Sequence, residues 1–525
     1  MKTSEEFKAE VYEKRDRKLA ARRRVKKQAL LCVPLAFLVV LGSVFAPRLF
    51  HGKHIQPRTG NIPRLLQVGT PAAPKDLSFY NLMESAEYAQ LQKAGDSKEG
   101  DSKAMTASDG DRYWGLEESE LKELSETALI DPAFSTVLND FARSSTVLLS
   151  KEFTENSCYS PLSLYYALAL TGSGAGGTTK REFESVLGAQ VGWVEDQCGK
   201  YYRQHYHDNE ESKFWLANSL WMDGRYSFGE DFISGAEKNF YSALFQVDFT
   251  DPSLGEEMTK WVSENTGGLL NPKFTFSEEQ MLSIINTVYY NAQWSDQFSQ
   301  EYNTNEEFHK ADGSTVTAEF MHMGKGFGRA YEGTGFTRAS LSLRNGDEMI
   351  FILPDEGVST EELLSDPAAF ENMFYPKASE EFTSCQLRWS VPKFSFDCEY
   401  DLKNMLIDLG LEKAFDPVIA DFSNMGKVEL YLSEARQGAH IGVNEDGVEA
   451  AAYTELGFEA GAAAPPDKII EMKLDRPFLF AILSSDASEG MTWENQQETR
   501  NSSLLFLGAC GDPTASGNGG HAAAS

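Results

Sequence analysis

Apolar residues recur with two different periods between about residue 130 and residue 513. The helical period comes first: it covers Phe134–Phe153, returns after the helix-starting pair Ser160-Pro161, and predicts a third helix that ends at Gly188. Long apolar or alternating segments follow and predict strands; they are 214–222, 281–294, 339–354, 385–400 and 502–510. The Asn345-Gly346 pair predicts a hairpin turn within the third of these segments. Helices that precede long strands, with few helices between the strands, indicate an α+β fold.

The first 46 residues have a different pattern. Residues 1–27 carry eleven Lys and Arg against five Asp and Glu, and 28–46 carry no charge and are mostly apolar. About 18 apolar residues are enough to span a bilayer, and a basic flank stays on the cytoplasmic side. The pattern therefore predicts a basic cytoplasmic segment at 1–27 and an uncleaved transmembrane signal anchor at 28–46. A cleaved signal peptide is the alternative, because Val44-Phe45-Ala46 resembles a cleavage site; the long basic region and Pro47 favour the anchor.

Two further segments lack regular periodicity. Residues 47–130 are polar and rich in Ser, Gly and Asp, which is typical of a flexible stalk. Residues 514–525 form a low-complexity tail. Residues 131–513 then form the folded domain, which is expected to lie outside the cytoplasm, or to be secreted if the signal is cleaved.

Composition excludes several functional classes. A formal charge of −31 argues against a nucleic-acid-binding protein, which would present a basic face. The six Cys are scattered, without a CxxC pair or a Cys/His cluster, so we expect no metal site and no cofactor.

The glycine-rich segment Gly172–Gly177 fits the GxGxxG spacing of dinucleotide-binding loops. A helix rather than a strand precedes it, however, so we interpret it as a turn between helices. The sequence has no phosphate-binding loop and no nucleophile elbow, and its eight His are dispersed. The protein is therefore not expected to be an enzyme.

The segment from Asn444 to Pro466 has a period of two. Val448, Ala450 and every second residue as far as Ala460 are small or apolar, while the positions between them hold Tyr453 and the three carboxylates Glu449, Glu455 and Glu459. Such alternation is typical of a half-buried strand, and an exposed loop does not require it. A flexible linker and a stable helix are the alternatives, although three glycines within the segment weaken a helix. We interpret the segment as a loop that can become a strand.

Several segments, in order, resemble the serpin family of serine protease inhibitors. They are Asn156–Gly188, Ala217–Phe249, Trp261–Leu270, Ile285–Trp294, Phe351–Pro354, Val391–Phe396, Ala420–Met425 and Asp475–Ile482. The resemblance covers about 385 residues and implies a large, mostly antiparallel central sheet, smaller sheets, surrounding helices and an exposed reactive-centre loop. It also implies the mechanism: a target serine protease cleaves the loop, forms a covalent acyl complex, and is trapped when the loop inserts as a strand.

The resemblance assigns roles to particular residues. The loop hinge matches Glu445, Gly447, Val448, Glu449, Ala450, Ala451 and Ala452. The region where the sheet opens matches Ser160, Ser163, Asn286, Trp294 and Gln437. The cleaved bond is expected next to Gly461 or Ala462, within the range Ala460 to Ala463. Small residues there favour an elastase-like protease with a shallow pocket, and the absence of Lys and Arg from 450–466 disfavours trypsin-like proteases.

Three departures from the family pattern are visible. Val448 replaces the usual Thr, Tyr453 is bulky, and Gln437 stands where many members have His. The glutamine leaves open a second interpretation, in which the protein is a non-inhibitory serpin that acts as an extracellular binding or chaperone module. In either case the expected partners are a protein and, through the N-terminal segment, the membrane. We expect a monomer.

Overall fold

The computed structural model describes residues 36–41, 65–69, 128–153, 155–276, 280–375, 382–427, 429–433, 435–448, 468–486 and 502–515. In these residues the helices are α1 Pro132–Leu149, α2 Pro161–Ser173, α3 Gly177–Val186, α4 Val191–His205, α5 Glu230–Phe240, α6 Leu254–Asn265, α7 Thr360–Ser365, α8 Pro367–Phe374 and α9 Lys403–Asp408. The strands are β1 Ala36–Leu41, β2 Leu65–Gly69, β3 Asn156–Tyr159, β4 His207–Asp208, β5 Ser212–Asp223, β6 Ser242–Val247, β7 Leu282–Gln293, β8 Thr304–His309, β9 Thr315–Gly333, β10 Phe336–Ser342, β11 Glu348–Pro354, β12 Thr383–Pro392, β13 Phe394–Asp401, β14 Arg436–Val443, β15 Gly447–Val448, β16 Ile469–Lys473, β17 Phe478–Leu483 and β18 Leu504–Cys510.

Two sheets organise the domain. Sheet A runs β13-β14, then β1 and β15, then β7-β5-β6-β2, with β4 beside β5. Its neighbours are antiparallel except for β5 and β6. Sheet B runs β16-β12-β9-β10-β11-β17-β18-β3, with β8 beside β9, and only its β12–β16 pair is parallel. The α+β architecture expected from the sequence is thus confirmed.

Helix α2 is the centre of the core. It starts as its sequence predicts, since Ser160 caps it by accepting a hydrogen bond from the Ser163 amide and Pro161 occupies the first turn. The helix is apolar on all sides, and every residue from Pro161 to Gly172 is buried. Its N-terminus lies against β18 of sheet B and, through Ser163, against β7 of sheet A.

The glycine-rich turn and the predicted hairpin are both confirmed. Helix α2 ends at Ser173 and α3 begins at Gly177, so Gly172–Gly177 connects two helices and is not a dinucleotide loop. Strands β10 and β11 pair as a hairpin around Gly346, whose φ of 92° suits glycine.

The N-terminal region differs from the expectation. Most of the predicted anchor at 28–46 and of the predicted stalk at 47–130 lies outside the described residues. The six described residues of the anchor form strand β1 instead of a helix, and five residues of the stalk form β2 at the edge of sheet A beside β6. An uncharged Leu- and Val-rich segment suits a buried strand as well as an apolar helix, and periodicity alone does not separate the two. Among the described residues, no helix combines the length and the hydropathy needed to cross a bilayer.

Candidate functional site

The predicted hinge starts inside sheet A. After β14 the chain turns at Asn444, whose side-chain oxygen accepts hydrogen bonds from the amides of Asp446 and Gly447 at 2.9 and 3.2 Å. Strand β15 then lies between β14 and β7, with Val448 opposite Val443 on one side and Ala292 on the other. The remaining hinge residues Glu449, Ala450, Ala451 and Ala452, and the predicted bait residues 460–463, lie outside the described residues. The predicted reactive-centre loop therefore begins directly after a strand that already lies in sheet A.

Gly447 fits this position because it has no side chain. A Cβ atom there would lie 2.1 Å from the carbonyl oxygen of Ala292, which is far inside van der Waals contact. The close approach lets β15 pair directly with β7. This steric restriction explains why position 447 of the predicted hinge is a glycine.

An ion pair holds the turn before β15. The carboxylate of Glu445, whose side chain is 6% exposed, lies 2.9 Å from the Lys393 ammonium and accepts a hydrogen bond from Asn303. Lys393 also lies 3.2 Å from Glu319. Burial alone would lower the pKa of Lys393, but its hydrogen bonds to Glu445 and Glu319 raise that pKa above the ordinary value. The ammonium therefore stays charged and neutralises a buried carboxylate.

Trp294 fixes the other side of the same turn. Its indole nitrogen donates to the Asn444 carbonyl at 2.9 Å, and its backbone amide donates to the Asp446 carbonyl at 2.9 Å. Its ring is fully buried and meets Phe298 edge-on. Burial and, secondarily, the nearby charge of Glu445 raise the pKa of Asp446 to about 6. The turn therefore holds a carboxyl group that titrates near neutral pH.

Two hydrogen-bonded groups tie the strands on each side of β15 to helix α2. On the β14 side, the fully buried Gln437 donates to the Ser160 carbonyl at 3.0 Å and accepts from the Ser160 amide at 3.3 Å. Both ends of the glutamine amide are thus satisfied by one backbone position. The departure from histidine does not leave an unpaired polar group.

On the β7 side, Ser163 donates to Asn286 at 2.6 Å, and Asn286 donates to Asn218 of β5. Asn218 in turn donates to the Phe240 carbonyl at the end of α5, at 2.7 Å. Ser160, Ser163, Asn286 and Gln437 thus meet at the start of α2, where the Ser163 amide donates to the Ser160 hydroxyl, whereas Trp294 lies at the hinge turn. If β14 and β7 move apart, β14 remains linked to α2 through Gln437, and β7 remains linked to α2 through Asn286.

Strand β1 lies in this same groove between β14 and β7. Its backbone pairs Ala36 with Tyr289 and Leu41 with Ile284 on β7, and Phe37 with Ala439 on β14. A strand that continued β15 in register would bring residues 451–456 opposite the same partners. The groove therefore accepts a strand in the register of the loop, and β1 occupies part of it.

Three contributors to the site were not indicated by the sequence: Lys393, Asn303 and Asn218. Lys393 has the clearest signal, since it interrupts the apolar segment Val391–Phe396. The residues described contain no group of three His, Cys, Asp or Glu placed to hold a metal ion. Five of the six cysteines are among them, and all five are buried free thiols.

Comparison with known proteins gives one consistent family. The model of the family "Serpin (serine protease inhibitor)" matches residues 136–491. Serpin A3-3 of Bos taurus is 28% identical over 387 residues, which cover 70% of this chain and 86% of that protein. Antithrombin-III of Homo sapiens is 28% identical over 385 residues, covering 69% and 78%. Among solved structures, the native state of the thermophilic serpin tengpin superposes with a TM-score of 0.61 and 26% identity, covering 73% of this chain and 95% of that one.

Proposed function

The chain belongs to the serpin family, and from this premise we propose that it inhibits serine proteases as a suicide substrate. A target protease attacks the loop that follows β15 and forms an acyl-enzyme. The loop then enters the groove between β14 and β7 as a new strand and carries the protease with it. Serpins are commonly protease inhibitors and are not enzymes, and in the proposed reaction the protease supplies the chemistry.

The position of β15 is the observation that carries this proposal. Gly447 and Val448 already pair with β7, and Val448 is fully buried. By the alternation of a strand, Ala450 and Ala452 follow on the buried side, where small side chains enter with little steric resistance. Insertion therefore extends an existing strand into the part of the groove that β1 occupies and must leave.

Insertion releases enough free energy to trap a protease. A new strand of about a dozen residues forms about as many backbone hydrogen bonds, worth roughly 1 kcal/mol each, so on the order of 10 kcal/mol in all. Burial of Leu456 and Phe458 on the inner side would add to this. The bonds that β1 makes in the groove are lost when it leaves, so the net gain is smaller than this gross figure, and we propose that the inserted state is still the more stable one.

The bait residues point to a protease with a small primary pocket. Gly461 and Ala462 offer almost no side chain, so an elastase-like protease reacts faster than a trypsin-like one. One or two methylene groups of fit are worth about 1–3 kcal/mol, so proteases with larger pockets react more slowly but measurably. Mass spectrometry of the released C-terminal peptide would locate the bond, and a cut before Leu456 would contradict this assignment.

The basic segment 1–27 and the uncharged segment 28–46 support an N-terminal anchor, with the inhibitor domain outside the cytoplasm. External protease on intact cells would then release an active fragment by cutting within 47–130. Retention of the domain inside such cells would overturn this part of the proposal. A mature N-terminus at Pro47 would establish the secreted form.

The decisive experiment compares two charge insertions in the hinge. Ala450→Arg places a charge on the side of the strand that must be buried, whereas Glu449→Arg places one on the side that stays in water. Incubation with elastase, followed by denaturing gel electrophoresis, should show a stable adduct for the wild type and Glu449→Arg. Ala450→Arg should be cleaved at the same bond without a stable adduct.

Thermal unfolding before and after cleavage tests insertion itself. The wild type should gain stability on cleavage, because the freed loop enters the sheet, and Ala450→Arg should gain much less. A wild type that forms no adduct with any protease of a broad panel, and gains no stability, would refute inhibition. The non-inhibitory interpretation, a binding or chaperone module, would then take its place.

A further inference from the structure

Two exposed apolar side chains of sheet B lie on either side of the polar Gln386, close to where the chain re-enters the sheet after the loop. Phe327 of β9 lies opposite Gln386 of β12, which in turn lies opposite Ile469 of β16. Because paired residues point to the same side of a sheet, Phe327 and Ile469 flank Gln386 on one face, about 10 Å apart. Phe327 is 68% exposed and Ile469 41%. We call Phe327, Gln386 and Ile469 the sheet B row.

The exposure of Phe327 has no internal explanation among the described residues. It lies in the segment Gly324–Gly328, where three glycines weaken the strand. Two of the glycines have a local reason, since Gly328 makes room for Leu387 and Gly324 lies at a bulge. Gly326 has neither reason: a Cβ there would meet nothing within 4 Å, and its φ is not in the left-handed region. Glycine within a strand often marks a place where another molecule approaches closely. An exposed aromatic ring is among the side chains most enriched at protein interfaces.

The position of the sheet B row, close to the predicted bait, indicates which molecule could cover it. Strand β16 is the first element after the loop, and Ile469 follows the predicted bait bonds by only six to eight residues. Eight extended residues span at most about 29 Å. A standard protein interface covers about 800 Å² on each partner, a patch of roughly 30 Å across. A protease bound to the bait is therefore close enough to cover the row.

We propose that the sheet B row is a second contact surface for the target protease, separate from the loop. The proposal rests on the inhibitory function argued above. In the encounter complex Phe327 packs against an apolar depression on the protease, and Ile469 extends that contact towards the loop. The row then contributes to the rate and the selectivity of the first encounter, while insertion of the loop depends on the hinge and the groove.

The test replaces Phe327 by Ser and compares Val418→Ser as the matched control. Val418 is 59% exposed and lies in the connection after α9, beside the turn at Asp416, where no contact with a loop-bound protease is expected. Pancreatic elastase is the probe, once its adduct with the wild type has been established. The second-order rate constant of inhibition should fall about tenfold for Phe327→Ser and stay within twofold for Val418→Ser. The number of inhibitor molecules consumed per protease, and the stability gained on cleavage, should not change, since both report on insertion.

Three outcomes decide between the alternatives. If the wild type and Phe327→Ser have equal rate constants and both form a normal adduct, the sheet B row does not contact the protease, while the inhibitory function still stands. A wild-type dimer that Phe327→Ser dissociates without a change in the rate constant would assign the row to a second copy of the chain and also overturn the proposal. Absence of an adduct between the wild type and every protease of the broad panel would refute the inhibitory function itself, which is a separate result.

Discussion

The pair between Lys393 and Glu445 should be worth more than any exposed ion pair of the domain. The two charges lie 2.9 Å apart, and at an effective dielectric constant of about 20 their attraction is about 6 kcal/mol. Lys393→Met removes the cation and leaves a carboxylate that is only 6% exposed, with Asn303 as a remaining donor. Loss of one partner of a buried pair costs about 3–5 kcal/mol. Because the Lys393 side chain is 31% exposed, water reduces the effect, and we expect about 2–3 kcal/mol.

Guanidinium unfolding of the loop-out protein measures this loss through the midpoint of the first transition. Arg388→Met is the matched control, because Arg388 and Glu471 lie at a similar 2.8 Å but are 43% and 65% exposed. Removing an exposed pair costs about 0–1 kcal/mol. The double variant Lys393→Met/Glu445→Gln should regain part of the loss, since it contains no unpaired buried charge. If Lys393→Met loses no more than Arg388→Met, the hinge turn does not depend on this pair and the reasoning fails.

Three further changes address the groove and its neighbours. The pKa of Asp446 is raised to about 6 in the folded protein, so folding binds protons and stability should increase as the pH falls from about 7 towards 4. After allowance for the partial exposure of this group, we expect a gain of about 1 kcal/mol. Asp446→Asn should abolish this contribution to the pH dependence in thermal unfolding scans. Gln437→Ala leaves the buried Ser160 amide without its partner, while the Ser160 carbonyl keeps the bond from the Leu164 amide, and it should cost about 1–3 kcal/mol in denaturant unfolding; an unchanged midpoint would contradict this. Deletion of residues 1–64 removes β1 and should lower the number of inhibitor molecules consumed per protease, whereas an equal number would show that β1 does not compete with the loop.

The sequence predicts the elements that depend on local pattern. Ser160-Pro161 marks the start of α2 because the capping hydroxyl and the proline ring act within one turn. Asn345-Gly346 marks a hairpin because a positive φ is required there. The order of family-like segments then predicts the arrangement of both sheets, since each segment corresponds to a known position in the fold.

Tertiary partners are less accessible to such reasoning. Lys393 and Asn303 are far from Glu445 in the chain, and no periodicity joins a lysine in one strand to a carboxylate in a turn. The sequence also does not reveal that Gln437 pairs with a backbone position, because any polar side chain there could have been solvated or bonded elsewhere. The strand at 36–41 is a third case, since its composition alone suits either a sheet or a lipid environment.

Strand β1 has a consequence for where the protein acts. The anchor proposal requires 28–46 to span a bilayer, and the structure gives residues 36–41 a place between β14 and β7. A single segment cannot partition into lipid and into sheet A at once. Transfer into the bilayer therefore withdraws β1 and vacates its part of the groove, while a molecule that stays in water fills the groove with its own chain. In the anchored protein, the equilibrium of residues 36–41 between lipid and sheet A would determine two things together. It would set where the protein is located and whether its groove can accept the loop.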